Sequence, residues 1–131
     1  MNKYLLIILT IFSFTINAQT ANTTVVSNLS AEQFKTAIAN DKNGILIDLR
    51  TPDEIKKGFI KGAIEIDYLS KEFDKQLLKL DKNKTYYVYC AAGGRSGDCA
   101  ELMEKQGFKK VVNLEKGFSD WEKKGFAVEK K

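Results

Sequence analysis

The sequence predicts an α/β fold, with a small central parallel sheet flanked by helices. Three observations lead there. Short apolar runs without polar alternation, Ile45-Leu46-Ile47-Asp48-Leu49 and Tyr86-Tyr87-Val88-Tyr89, suit strands covered on both faces. Segments between them carry apolar residues at helical spacing behind clear capping signals. Strand and helix signals then alternate, which calls for parallel pairing through crossover connections.

Each element has its own local reason. Residues 20–24 are polar and read as a loose lead-in. Ser30-Ala31-Glu32-Gln33 is a capping box: the serine oxygen can accept from the Gln33 N–H while Gln33 reaches back. Phe34, Ala37 and Ile38 follow on one face, and Gly44 ends the segment. After the run at residues 45–49, Thr51-Pro52-Asp53-Glu54 opens a second helix, with proline suited to its first position and a second capping box. Gly58 and Gly62 bracket a turn, and Ala63 to Ile66 reads as a short strand. A third helix is expected from Ser70, with Phe73, Leu77, Leu78 and Leu80 inward. Asp81 to Lys84 is a polar turn before the aromatic strand. A glycine-bearing loop from Cys90 to Arg95 leads into a helix after Ser96, with Cys99, Leu102 and Met103 inward. Gly107 ends that helix. Val111 to Leu114 is the last strong strand, and Gly117 to Lys124 a final helix carrying Trp121.

The 131 residues are about one domain's worth, and 44% apolar with 29% charged residues is ordinary for a globular chain. The formal charge of +4 comes from scattered basic residues with no run of five, so a nucleic-acid tail is not expected. The amino terminus stands apart. Lys3 precedes an apolar run from Tyr4 to Ile16, and Ala18 supplies a small residue before Gln19. This is the pattern of a secretory signal peptide over residues 1–18, leaving a single domain at 19–131. The run is shorter than the ~20 residues of a membrane span, so no stable span is expected after its removal. The protein is therefore expected to be exported, to the periplasm, and nothing in the sequence specifies an oligomeric state.

The chemistry concentrates in Tyr89-Cys90-Ala91-Ala92-Gly93-Gly94-Arg95-Ser96. A cysteine at the carboxyl end of a buried strand sits where open α/β sheets bind ligands. The glycines let the backbone curl so that successive N–H groups point inward, and the next helix start adds to their attraction for an anion. A thiolate is the nucleophilic form of cysteine, and such surroundings favour it. Arg95, by its spacing, is expected to add a guanidinium at the far end. The chain has no histidine, which excludes a Cys–His dyad and a Ser–His–Asp triad. Two cysteines and no histidine call for no metal, and no cofactor is indicated. Cys99 reads either as a small buried helix residue or as a resolving thiol for Cys90. A Cys90–Cys99 disulfide requires their Cα atoms to lie within about 7 Å.

At this loop the sequence resembles the rhodanese (sulfurtransferase) family. Asp48-Leu49-Arg50 looks like its Asp-x-Arg, with Glu54 four positions on. Gly58-Phe59-Ile60-Lys61-Gly62-Ala63 resembles the block written Gly-His-Ile-x-Gly-Ala. Cys90 to Ser96 resembles the loop Cys-Arg-x-Gly-x-Arg-Ser, and Gly107-Phe108 with Leu114, Gly117 and Trp121 matches the closing pattern. The resemblance runs from about Leu29 to Phe126. It implies that Cys90 accepts sulfane sulfur as a persulfide from thiosulfate or a polysulfide and passes it to a thiol or another nucleophile. It further implies that the backbone of Ala91, Ala92, Gly93, Gly94, Arg95 and Ser96 holds the outer sulfur, with Asp48 and Arg50 in support. The partners so implied are a small sulfur-containing anion and a thiol acceptor. Ala91 replaces the family's usual first loop arginine, and Phe59 its usual histidine. Four residues separate Cys90 from Arg95 where related phosphatases have five, which suits a sulfur atom better than a phosphoryl group. A non-catalytic binding module of the same family and a Cys90/Cys99 dithiol redox protein stand as alternatives.

Overall fold

The computed structural model describes residues 23–131. The proposed signal segment, and residues 20–22 of the lead-in, lie outside them. The elements run β1 (Val25–Leu29), α1 (Ala31–Asn40), β2 (Ile45–Asp48), α2 (Pro52–Lys56), β3 (Ile64–Glu65), α3 (Phe73–Leu78), β4 (Thr85–Tyr89), α4 (Gly94–Lys105), β5 (Lys110–Leu114) and α5 (Gly117–Lys123). The strands form one sheet in the order β1-β5-β4-β2-β3, every pair parallel. Both capping boxes form, Ser30 with Gln33 and Thr51 with Glu54. Among the described residues, no helix is long and apolar enough to cross a membrane.

Alternation along β4 divides the core. Tyr86 and Val88 face one side of the sheet, with Phe73 and Leu77 of α3 and Cys99, Ala100 and Met103 of α4. Tyr87 and Tyr89 face the other, against Phe34 of α1 and Phe118 and Trp121 of α5. Strand β4 is thus covered on both faces, and its run of four apolar side chains needs no polar member. Cys90 closes the run at the sheet's carboxyl edge, on the α3/α4 side.

Three expectations give way. Strand β1 has no apolar run to announce it; its Ser27 and Asn28 break the apolar signal, and it forms because β5 offers an open edge, with Val25 opposite Lys110 through Leu29 opposite Leu114. Helix α3 starts at Phe73, not Ser70, and Leu78 is 62% exposed while Leu77 is fully buried. Adjacent helical positions lie about 100° apart, so two neighbouring leucines cannot both face a narrow contact. Helix α4 begins at Gly94, before Ser96, which brings Arg95 and Ser96 into its first turn.

Candidate active site

The loop after β4 closes around the sulfur of Cys90. Gly93 has φ +102°, a left-handed conformation that turns the chain back on itself. Its N–H then donates to Cys90 Sγ at 3.1 Å, and the Ser96 N–H donates at 3.4 Å from the first turn of α4. The Ser96 hydroxyl lies 3.3 Å from Sγ and 3.3 Å from the Gly93 carbonyl oxygen. Starting α4 at Gly94 contributes to this cluster: the Ser96 N–H, in the first turn, has no intrahelical acceptor and reaches the sulfur, beside that of the Gly93 cap. Cys90 is 1% exposed, and the amides face it. Burial pushes the thiol up; the Ser96 hydroxyl and the Ser96, Gly93 and Ala92 N–H groups outweigh burial and hold it below its ordinary value. The arrangement stabilises a thiolate without any cation in contact.

The segment after β5 braces the loop from outside. The Phe118 N–H donates to the Cys90 carbonyl at 2.8 Å, and the Ser119 N–H to the Ala91 carbonyl at 3.0 Å. The approach is so close that a Cβ on Gly93 would sit 1.9 Å from the Glu115 carbonyl oxygen. Gly117, at φ +69°, likewise leaves no room for a side chain beside Ala91 and Ala92. Ala91 is half-buried, and Ala92 and Gly94 are exposed at the loop's outer surface.

Arg95 stands at the far end of the loop with its guanidinium paired to a partner the sequence did not announce: it makes a two-pronged pair with Glu54, Nη1 to Oε2 at 2.9 Å and Nη2 to Oε1 at 2.8 Å. That bond, above the opposing effect of burial, raises the Arg95 pKa, and Cys90 acts on it only through space. In return Arg95 holds Glu54 down to about 2, well below the usual carboxylate range. Glu54 also caps its own helix, accepting from the Thr51 N–H at 2.9 Å and the Thr51 hydroxyl at 3.0 Å. Its sequence neighbourhood announces the cap; a partner 41 positions away leaves no local signal.

Asp48 and Arg50 do not touch the sulfur. Arg50 Nε and Nη2 donate to Asp48 Oδ1 and Oδ2 at 3.0 and 2.8 Å, both residues buried. Nη2 also donates to the Gly58 carbonyl at 2.8 Å, and the guanidinium stacks 4.0 Å from the Phe118 ring centre. Tyr89, at the end of the buried strand β4, completes the cluster: its hydroxyl donates to Asp48 Oδ2 at 2.5 Å and accepts from the Ile60 N–H at 3.1 Å. Burial and then the Asp48 charge push this phenol strongly up, so it stays protonated and donating. This network lies beneath the turn that carries Thr51 and Glu54, and it meets the loop through Tyr89, which precedes Cys90, and through Phe118, whose N–H donates to the Cys90 carbonyl.

Cys99 lies in α4 with no exposed surface, and burial, helped by the charge on Cys90, pushes its thiol up to about 12. It is a protonated core residue; both cysteines are free thiols. Among the described residues, no group of three or more His, Cys, Asp or Glu side chains could hold a metal ion.

The chain is similar to several known proteins in sequence and in fold. YrkF of Bacillus subtilis, whose name marks it as a candidate sulfur carrier, is 35% identical over 100 residues. The match takes in 76% of this chain and 53% of that protein, so the chain spans about half of that relative's length. A sulfurtransferase of Allochromatium vinosum is 26% identical over 79% of this chain and 95% of its own length. Among solved structures, a rhodanese-related protein of Thermoplasma volcanium superposes with a TM-score of 0.69 at 28% identity, over 80% of this chain and 99% of that one. The rhodanese-like domain protein of Staphylococcus aureus gives 0.68 at 29% identity, over 80% and 98%. The model of the rhodanese-like domain matches residues 30–124, from the Ser30 cap of α1 past the end of α5, and with it every element but β1; this chain belongs to the rhodanese-like domain family.

Proposed function

We propose that this protein is a sulfurtransferase or sulfur carrier in which Cys90 takes up sulfane sulfur as a persulfide and hands it to a thiol. The observation that carries the reading is the set of Gly93 and Ser96 N–H groups and the Ser96 hydroxyl, all turned onto Cys90 Sγ. In the first step the Cys90 thiolate attacks the outer sulfur of a donor R–S–SH. A new S–S bond forms, the donor's S–S bond breaks, and R–SH leaves with the proton, so Cys90–S–S⁻ results. In the second step an acceptor thiol R′–SH takes that outer sulfur as R′–S–SH and the Cys90 thiolate returns. Negative charge stays at the loop throughout, on one sulfur or the next, and fixed amide dipoles stabilise it without reorganisation. The spacing of four residues between Cys90 and Arg95, one fewer than in related phosphatases, favours a single sulfur atom over a phosphoryl group as the loop's cargo. The names borne by relatives, a sulfurtransferase of A. vinosum and a thiosulfate:glutathione sulfurtransferase of Saccharomyces cerevisiae, agree with this chemistry.

Incubation with polysulfide followed by intact mass measurement tests the reading. The expected result is a gain of one sulfur atom on Cys90, removed by cyanide, and no gain in a folded Cys90→Ser variant. An unmodified wild-type protein overturns the proposal in favour of a binding module. A loss of two hydrogens with both thiols blocked overturns it in favour of a dithiol redox protein. The reading includes export to the periplasm, from Lys3 and the apolar stretch behind it; amino-terminal sequencing should find Gln19 first, and a chain that keeps Met1 contradicts it.

A further inference from the structure

The mouth of the loop carries a charge arrangement that bears on which donor can load Cys90. Position 91 is alanine and supplies no cation. Arg95 is engaged on both prongs by Glu54, and the same carboxylate also accepts from the Thr51 N–H that caps α2. Asp67 lies within electrostatic reach of Arg95 and is itself held in place, its Oδ1 accepting from the Leu69 N–H at 2.9 Å. Arg95 is thus faced by three anions, Glu54 in contact and the Cys90 thiolate and Asp67 through space. Glu115 and Lys116, whose backbone packs against Gly93, carry opposite charges. Amide dipoles at the sulfur are enough to hold a single negative charge there, but they do not extend a positive field outward to draw in a second and third.

We infer that this site discriminates by charge, loading Cys90 from a hydropersulfide R–S–SH in preference to the thiosulfate dianion, with the Glu54–Arg95 pair as the specificity determinant. The inference rests on the sulfur-transfer reading above. Both reactions balance. Thiosulfate would give Cys90–S–S⁻ and sulfite, a product pair with three negative charges, two of them brought in by the donor and one already on the thiolate. A hydropersulfide gives the same Cys90–S–S⁻ and a neutral thiol.

The salt dependence of loading decides, because it is independent of each donor's intrinsic reactivity. Loading of Cys90 is timed by quenched intact mass with thiosulfate and with the hydropersulfide of 2-mercaptoethanol, from low salt to about 0.3 M, where charges more than ~6 Å apart are largely screened. Thiosulfate loading of the wild type should accelerate about threefold with salt as repulsion is screened. Glu54→Gln keeps an oxygen for Thr51 and Arg95 but drops the charge. It should raise the thiosulfate-to-hydropersulfide rate ratio at least about threefold at low salt and flatten or invert the salt slope. Thiosulfate loading that slows with salt in the wild type, or a rate ratio unmoved by Glu54→Gln, overturns the inference while leaving sulfur transfer intact. Absence of any adduct from either donor removes the sulfur-transfer reading and this one with it.

Discussion

The Ser96 hydroxyl offers the sharpest test of how the loop makes a thiolate. Ser96→Ala removes one of the donors on Cys90 Sγ and leaves the Gly93 and Ser96 N–H groups in place. A hydrogen bond to a charged group contributes about 1.5–3 kcal/mol. The low end applies, because the single hydroxyl proton is shared between Sγ and the Gly93 carbonyl at equal distances of 3.3 Å. At about 1.4 kcal/mol per tenfold, the thiolate-to-thiol ratio at a given pH should fall about tenfold. Little else changes: the Gly93 carbonyl keeps the Gly97 N–H at 3.0 Å, so no buried acceptor is orphaned. The assay is a pH titration of thiolate ultraviolet absorbance, in which Cys99, at about 12, stays silent until strongly alkaline pH. The same variant alters stability in a defined direction. Cys90 is held below its ordinary value of 9.0, so its ionised form contributes stability that is fully present above that value. The contribution is lost as pH falls through the folded value. The difference in urea stability between wild type and Ser96→Ala should therefore be largest on the alkaline side and shrink toward acid. A variant that titrates with the wild type, or whose deficit grows toward acid, refutes the reasoning and leaves the amides alone in charge.

Two other outcomes follow from burial. Asp48→Asn leaves the Arg50 guanidinium buried without its counter-charge and should cost about 3–5 kcal/mol in urea unfolding, where a loss under about 1 kcal/mol would mean the cluster is a passive contact. Cys99 should resist iodoacetamide near neutral pH until denaturant is added, since its thiol is fully buried and protonated below about 12; labelling of the native protein at the denatured rate contradicts this.

Much of this architecture is written locally. The two capping boxes, the buried strands at residues 45–48 and 85–89 and the glycine-rich turn after Cys90 each depend on neighbours a few positions apart, where periodicity and hydrogen-bonding capacity can be read directly. Cys90 and its surroundings belong to the same group, because a cysteine, two glycines and a helix start within seven residues specify a nest of amides by themselves. The partners of that nest do not. Glu54 meets Arg95, and Tyr89 meets Asp48, each across 41 positions. Strand β1 exists only because the edge of β5 is vacant, and Gly93 is confined by the Glu115 carbonyl on the next strand's exit. Composition and spacing count Arg95 as a cation; only the packed sheet decides whether that charge faces a donor or a carboxylate, since Coulomb energy depends on distances that the chain's order does not contain.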